Sequence, residues 1–316
     1  MFQTVSEVIQ AMNIDDDRRT FEEQGFIGPF KLWEPEVMRA FWKKQRALML
    51  DSETSSRAIF DNPMNYDRHF DIPGLSSIIS EPAIIRRMQA LIGDDMLCWR
   101  TEIFPENPGD AGTGWHQVET FAIGENTTGV LEPSIRSENT PMELTAWIAF
   151  TEASRENGCM KLIPGSHRTW RYNEKARLTF DDSRKENTLF GYDYGECKID
   201  PDWNPDDEEV AYMEMQPGEF IIFTARCIHG STPNTSRKQR MGFAIRTVPP
   251  HVRVYGGMSE FNEFGHHFDL ARHGCVLVAG QDNYRINTIR TQNEWGDEFR
   301  TLETVGSPAM PGYPGK

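Results

Sequence analysis

Apolar residues fall at helical spacing near the start of the chain. Val5, Val8, Ile9 and Met12 share one face, and Glu34-Pro35-Glu36 opens a second run with Val37, Met38, Phe41 and Trp42. Residues 1–60 are therefore expected to be helical outer support. From about residue 94 the pattern shortens to strands at 96–104, 144–151, 160–163, 219–223 and 241–248, separated by turns such as Asn107-Pro108-Gly109, Pro164-Gly165 and Pro217-Gly218. Short strands between such turns predict a mainly β sandwich or jelly roll with flanking helices. One elaborated domain is expected over residues 1–316: mostly helical support over 1–93, a barrel core over 94–255 and a C-terminal extension over 256–316. The polar stretch 178–207, with Phe190, Tyr192, Tyr194 and Trp203, has the length of a lid, and the Pro- and Gly-rich 306–316 reads as a loosely held end.

Composition narrows the function classes. With 19 Phe, 8 Trp and 8 Tyr the chain has ample material for a large core. A net charge of -15 opposes binding to a phosphate backbone or an anionic membrane, so neither nucleic acid nor membrane is an expected partner. The five cysteines are scattered without a CxxC, which excludes a disulfide framework and a thiolate zinc site. With no apolar run of signal-peptide or bilayer length, a cytoplasmic location is expected.

Two histidines stand apart from the other six. His116 follows a glycine-rich turn in Thr113-Gly114-Trp115-His116-Gln117-Val118-Glu119, and His229 ends the apolar run Phe223 to Ile228. Such strand ends are positioned to face a barrel mouth. A histidine and a carboxylate two residues apart share a strand face, and a distant second histidine completes the two-His-one-carboxylate triad of non-haem iron(II) oxygenases. Here the carboxylate position holds Val118. Glu119 is one residue too far on a regular strand and would need a bulge to reach a metal; its alternative is a solvated or salt-bridged exterior position. His69, His167, His251, His266, His267 and His273 lack ligand spacing on a common face; His167 reads as structural, and His266 and His267 as loop residues.

Period-two alternation places Arg240, Gly242, Ala244 and Arg246 on one strand face, and Thr145, Trp147, Ala149 and Thr151 on another. An inward arginine needs an anion, and its planar fork suits a carboxylate. Thr145 and the Trp147 indole are possible donors to one. The alternative is that the arginines pair with local acids. Arg100 and Glu102 also share a face; they either satisfy each other, which is the preferred reading, or leave Glu102 to meet a substrate ammonium.

In these segments the chain resembles the iron(II)- and 2-oxoglutarate-dependent oxygenases of the phytanoyl-CoA dioxygenase type and, within them, the non-haem iron halogenases, carrier-protein-dependent amino-acid chlorinases above all. The resemblance runs from about Phe21 to Tyr255. It passes through Gly25-Phe26-Ile27-Gly28-Pro29-Phe30, Leu97-Cys98-Trp99-Arg100-Thr101-Glu102, Trp115-His116-Gln117, Ala149-Phe150-Thr151, Asn157-Gly158-Cys159, Ile163-Pro164-Gly165, Phe190-Gly191-Tyr192-Asp193-Tyr194 and Arg240-Met241-Gly242-Phe243-Ala244.

It implies a cupin-like double-stranded β-helix with Fe(II) held by His116 and His229, and 2-oxoglutarate held by Arg240 with Thr113 and Trp147. It further implies O2 as oxidant and a chloride taking the vacated carboxylate position beside Val118, near Thr145 and Arg246. Glu102, Phe121 and Phe190 are the candidate substrate contacts. The implied partner is a small-molecule or carrier-protein-tethered amino acid. Two departures bear on the outcome: Val118 is bulkier than the Ala or Gly usual there, and Ile123 replaces a polar residue of the chlorinases. The alternatives are a hydroxylase, with water or Glu119 as the third ligand, and a non-catalytic barrel that binds a small anion or a protein.

Overall fold

The computed structural model describes residues 13–60, 65–118, 129–133, 143–173, 178, 180–184 and 188–305. The run Val5 to Met12, Glu119, Phe121, Ile123 and the 306–316 tail lie outside them.

The first described helix, α1 (Ile14–Gln24), starts where the Asn13 side chain accepts the Asp16 N–H, and Asp15, Asp16 and Asp17 crowd its positive end. It stops at Gly25, whose φ of 83° is the left-handed cap that glycine adopts without strain. The chain then departs from the helical expectation: Phe26–Lys31 forms strand β1, burying Phe26 and Ile27 and pairing them with Phe223 and Ile222. The glycine cap and the Gly28-Pro29 step break the helix before its apolar period can continue. Helix α2 (Pro35–Met49) follows, opened by Pro35 and burying Met38, Phe41 and Trp42 as the spacing predicts, and then α3 (Ser52–Arg57), α4 (Pro73–Ile78) and α5 (Pro82–Ile92).

The strands are β2 (Met96–Glu106), β3 (Leu131–Glu132), β4 (Leu144–Ala149), β5 (Met160–Leu162), β6 (Ala211–Met213), β7 (Glu219–Phe223), β8 (His229–Ser231), β9 (Arg240–Val248), β10 (Arg253–Val254), β11 (Glu260–Glu263), β12 (His266–Asp269) and β13 (Val276–Ala279). A six-stranded antiparallel sheet runs β1-β7-β4-β9-β2-β13 and a three-stranded sheet runs β6-β5-β8; β10-β3 and β11-β12 form two-stranded pairs. The segment after residue 255 thus contributes an edge strand to the large sheet. His266 and His267 sit on β12 rather than in a loop, with His267 exposed beside Glu260 at 3.7 Å.

Register decides which side chains meet. Across β2, β9 and β4, Arg246 lies between Arg100 and Thr145, Ala244 between Glu102 and Trp147, and Gly242 between Phe104 and Ala149. This inner face packs toward the small sheet, where Met160, Leu162 and Met213 join Trp147, Ile221, Phe223 and Ala244 in one apolar cluster. The alternate residues Met241, Phe243, Ile245, Ala146, Ile148 and Phe150 belong to the larger core beneath the helices, with Phe150 5.2 Å from Trp42 and 5.8 Å from Phe41. Burial of each such large side chain contributes about 1.5–3 kcal/mol. Among the described residues no helix is long and apolar enough to cross a membrane.

Candidate metal and co-substrate site

His116 and His229 are joined by reciprocal backbone hydrogen bonds, each 3.0 Å, beside β8. Gly230 permits this approach: a Cβ there would lie 2.6 Å from the Thr113 carbonyl. The two imidazole centroids are 4.1 Å apart. His116 Nδ1 contacts the Gly114 carbonyl at 2.9 Å, and His229 Nδ1 the Cys227 carbonyl at 2.7 Å. A carbonyl only accepts, so each Nδ1 carries the hydrogen and each Nε2 keeps its lone pair. Burial pulls the His116 pKa down to about 4, and burial with the neighbouring His116 holds His229 well below the ordinary histidine value. Two neutral, oriented imidazoles are a fitting pair of ligands for a divalent transition metal.

Val118 lies on the same side as His116. The intervening Gln117 points away, donating to the carbonyls of Arg226 at 2.8 Å and Thr169 at 3.0 Å, while the Val118 N–H donates to the Ala225 carbonyl at 2.9 Å. Val118 is 4% exposed and lines the cavity that His116 and His229 line. Among the described residues no cluster of three or more His, Cys, Asp or Glu has metal-holding geometry.

That cavity gathers Thr113, Thr145, Trp147, Arg240, Arg246, Glu102 and Phe190 with the two histidines and Val118. Every sequence-predicted site residue within the described part is therefore brought together. Phe121 falls outside it, as does Glu119. Phe190 adopts a left-handed φ of 49° in the 178–207 connection, stacks on Phe104 at 6.5 Å and meets Phe264 edge-on at 5.5 Å.

The arginines do have acid partners, buried rather than at the surface. Arg240 donates through Nη2 to Glu106 at 2.9 Å, and through Nε and Nη1 to the carbonyls of Gly158 at 2.8 Å and Phe104 at 3.1 Å. A guanidinium has five N–H groups, more than these three acceptors use. Trp147 lies beside it, its ring centroid 5.4 Å from Arg240 Cζ. Glu106 also accepts the Gly112 N–H at 3.1 Å, which ties Arg240 to the segment carrying Thr113 and His116.

Arg246 binds Glu102 through Nη2 at 2.7 Å and Nε at 3.0 Å, and donates to Thr145 Oγ1 at 3.1 Å. Thr145 passes its own hydrogen to Glu143 at 2.6 Å. The preferred pairing of Glu102 with Arg100 is present, but Arg246 is the closer partner of Glu102. Arg100 is 3.5 Å from Glu102, and its shorter contacts are Glu263 at 3.1 Å and the Tyr255 hydroxyl.

Glu106, Glu143, Glu263 and Tyr66 are site groups that sequence reasoning missed. The alternation of Arg100, Glu102 and Phe104 extends to Glu106 and would have found it. Glu263 and Tyr66 come from segments with no local signal of the site.

A sequence model of the phytanoyl-CoA dioxygenase (PhyH) family matches residues 21–242. The chain belongs to the phytanoyl-CoA dioxygenase family. It is accordingly a member of the non-haem Fe(II)/2-oxoglutarate dioxygenase superfamily, and its fold is the double-stranded β-helix. Among solved structures it is similar to CytC3 with Fe(II) and alpha-ketoglutarate, 32% identical over 91% of this chain and 97% of that one, with a TM-score of 0.70. The ThoJ-Ni complex of a non-heme monooxygenase shares the fold at 18% identity, covering 87% and 88% of the two chains with a TM-score of 0.61. Dioxygenase olcK of Penicillium canescens is 26% identical over 48% of this chain. The 2-aminoethylphosphonate dioxygenase of Uncultured bacterium HF130_AEPn_1 is 22% identical over 68% of each chain. The chain spans 43% of olcK and 33% of the Caenorhabditis elegans phytanoyl-CoA dioxygenase domain-containing protein 1 homolog.

Proposed function

We propose that this family member is an Fe(II)-, 2-oxoglutarate-, O2- and chloride-dependent halogenase acting on an unactivated aliphatic carbon of an amino-acid-like substrate, free or tethered to a carrier protein. The observation that carries the reading is Val118, two residues after His116 and lining the same cavity, where the iron triad ordinarily has its carboxylate. An anion beside Val118 would replace the missing negative charge, with Arg246 and Thr145 on the same cavity wall.

In this reading His116 and His229 hold iron through Nε2, kept in that tautomer by the Gly114 and Cys227 carbonyls. Arg240 takes the far carboxylate of 2-oxoglutarate with Thr113 and Trp147 beside it, and Glu106 keeps the guanidinium from swinging away. Bound iron, with 2-oxoglutarate, O2 and chloride, supplies the oxidation of a C–H bond and the halogen. The protein's remaining work is to place that carbon and exclude water, for which Phe104, Phe190 and Phe264 form an apolar wall.

The test is product mass. Candidate amino-acid and carrier-bound substrates incubated at high chloride should yield a product heavier by chlorine, and a strictly hydroxylated product would overturn the reading. The second reading, a hydroxylase, is favoured by the two methyl groups of Val118, which crowd the position a chloride would need. Replacing Glu119 by Gln separates the two: weakened iron binding supports a hydroxylase with a protein carboxylate on the metal, and unchanged binding excludes Glu119 as a ligand.

A further inference from the structure

Two turns meet across one aromatic ring beside the cavity. Leu189 and Tyr192 exchange backbone hydrogen bonds of 3.0 Å around Phe190-Gly191, and Glu263 opposes His266 around Phe264-Gly265. In each turn both central residues have a positive φ, 49° and 105° in the first and 53° and 74° in the second. That is the pattern of the tight type I′ hairpin turn, whose first central position ordinarily holds Asn, Asp or Gly. Here both turns place phenylalanine there. A bulky residue with a positive φ is strained, and such strain persists only where the surroundings hold it, commonly where a ligand is gripped.

What the two strained residues share is the destination of their rings. Phe190 and Phe264 both line the cavity and meet edge-on at 5.5 Å. Behind them the ring of Phe180 fills, with its opposite edges, the space that the two glycines leave. A Cβ on Gly191 would lie 2.8 Å from Phe180 Cε2, and one on Gly265 2.7 Å from Phe180 Cε1. The Asp181 N–H donates to the Gly191 carbonyl at 3.0 Å, and the Phe264 N–H donates to the Tyr192 hydroxyl at 3.0 Å, so the turns are tied to Phe180 and to each other. Phe180 is half-buried and stands outside the cavity lining. One side chain outside the cavity thus braces the backbone of two rings inside it.

We propose that Phe180 is a positioning residue for substrate choice: by bracing Phe190 and Phe264 it sets the length of aliphatic chain that the cavity accepts. This rests on the reading of the cavity as the substrate site, and it names what selects within the substrate class. A pocket of fixed depth refuses one methylene too many by about tenfold or more. Without the brace both turns are free to relax, which withdraws the rings and deepens the pocket.

The test is equilibrium binding, without oxygen, to the protein loaded with Fe(II) and 2-oxoglutarate. The probes are straight-chain L-2-amino acids from alanine to 2-aminooctanoate, as free acids and as pantetheine thioesters. The wild type should show a length limit, with affinity falling about tenfold or more at one added methylene. Phe180→Ala should move that limit to longer chains and leave the affinity of shorter ones within about twofold, and Phe180→Leu should keep part of the wild-type limit. Phe180→Ala combined with Phe264→Ala should shift the limit no further than Phe264→Ala alone. Phe190→Asn, which suits the turn, should melt at the same temperature or higher while losing the limit. An unmoved limit in Phe180→Ala, additive shifts in the double variant, a lowered melting temperature for Phe190→Asn or no binding by any probe would each overturn the proposal. Because relative affinity is read without turnover, a limit that moves as expected stands whether the product is chlorinated or hydroxylated.

Discussion

Glu102 grips Arg246 through both Nη2 and Nε, at 2.7 and 3.0 Å, diagonally across the β2-β9 ladder, two residues along from Arg100, which lies directly opposite Arg246. This contact orients the guanidinium that in turn donates to Thr145. Glu102→Ala should therefore leave a buried cation without its main partner and cost about 3–5 kcal/mol of stability. Glu102→Gln, which keeps an acceptor, should cost less. Urea unfolding of the two variants checks the order, and equal, small losses would show that Arg246 repairs itself through Glu143.

Trp147 occupies space that a glycine diagonal to it on the neighbouring strand leaves open. A Cβ on Gly242 would lie 2.0 Å from Trp147 Cζ2. Gly242→Ala should displace the indole, destabilise the fold by about 1–3 kcal/mol and weaken 2-oxoglutarate binding, since Trp147 and Arg240 line one wall. Adding Trp147→Phe should restore part of the stability. A double variant no more stable than the single one would refute the packing account.

Beneath the site, Asp67 is 1% exposed and accepts the Thr101 N–H at 2.8 Å, and burial raises its pKa to about 7. The folded state therefore keeps a proton that the unfolded chain releases above about pH 4. On this group's account stability falls as pH rises from about 4 to 7 and is level above. Buried His69 and His273, lowered to about 3 and about 4 by burial, act oppositely: their contribution is lost as pH falls below the unfolded histidine value. Asp67→Asn should remove only the first effect. Its stability relative to wild type should climb between pH 4 and 7 to a plateau on the order of 2–4 kcal/mol, and a pH-independent difference would contradict the assignment.

The site was legible in the sequence wherever a strand carried it. Period-two alternation fixes Arg240 and Arg246, Thr145 and Trp147, and Arg100 and Glu102 on inner faces, and the ladder registers bring those faces together. Alternation names the face a residue takes but not its neighbour on the next strand. The closer Glu102–Arg246 pairing therefore depended on register, and alternation alone showed only the longer contact with Arg100. β1 was hidden because its six residues follow a helix that a single glycine ends. Glu263 was hidden for another reason: its hairpin reaches the cavity from more than a hundred residues beyond His116, and no local pattern encodes that distance.

The metal's surroundings test the central claim most directly. Crystals grown without oxygen with Fe(II), 2-oxoglutarate and bromide should show iron on His116 and His229 and an anomalous bromide peak on the metal beside Val118. Val118→Ala, by enlarging that space, should strengthen the peak at the same bromide concentration. A carboxylate oxygen of Glu119 on the iron, with no bromide there, would contradict halogen transfer and leave an oxygen-inserting enzyme.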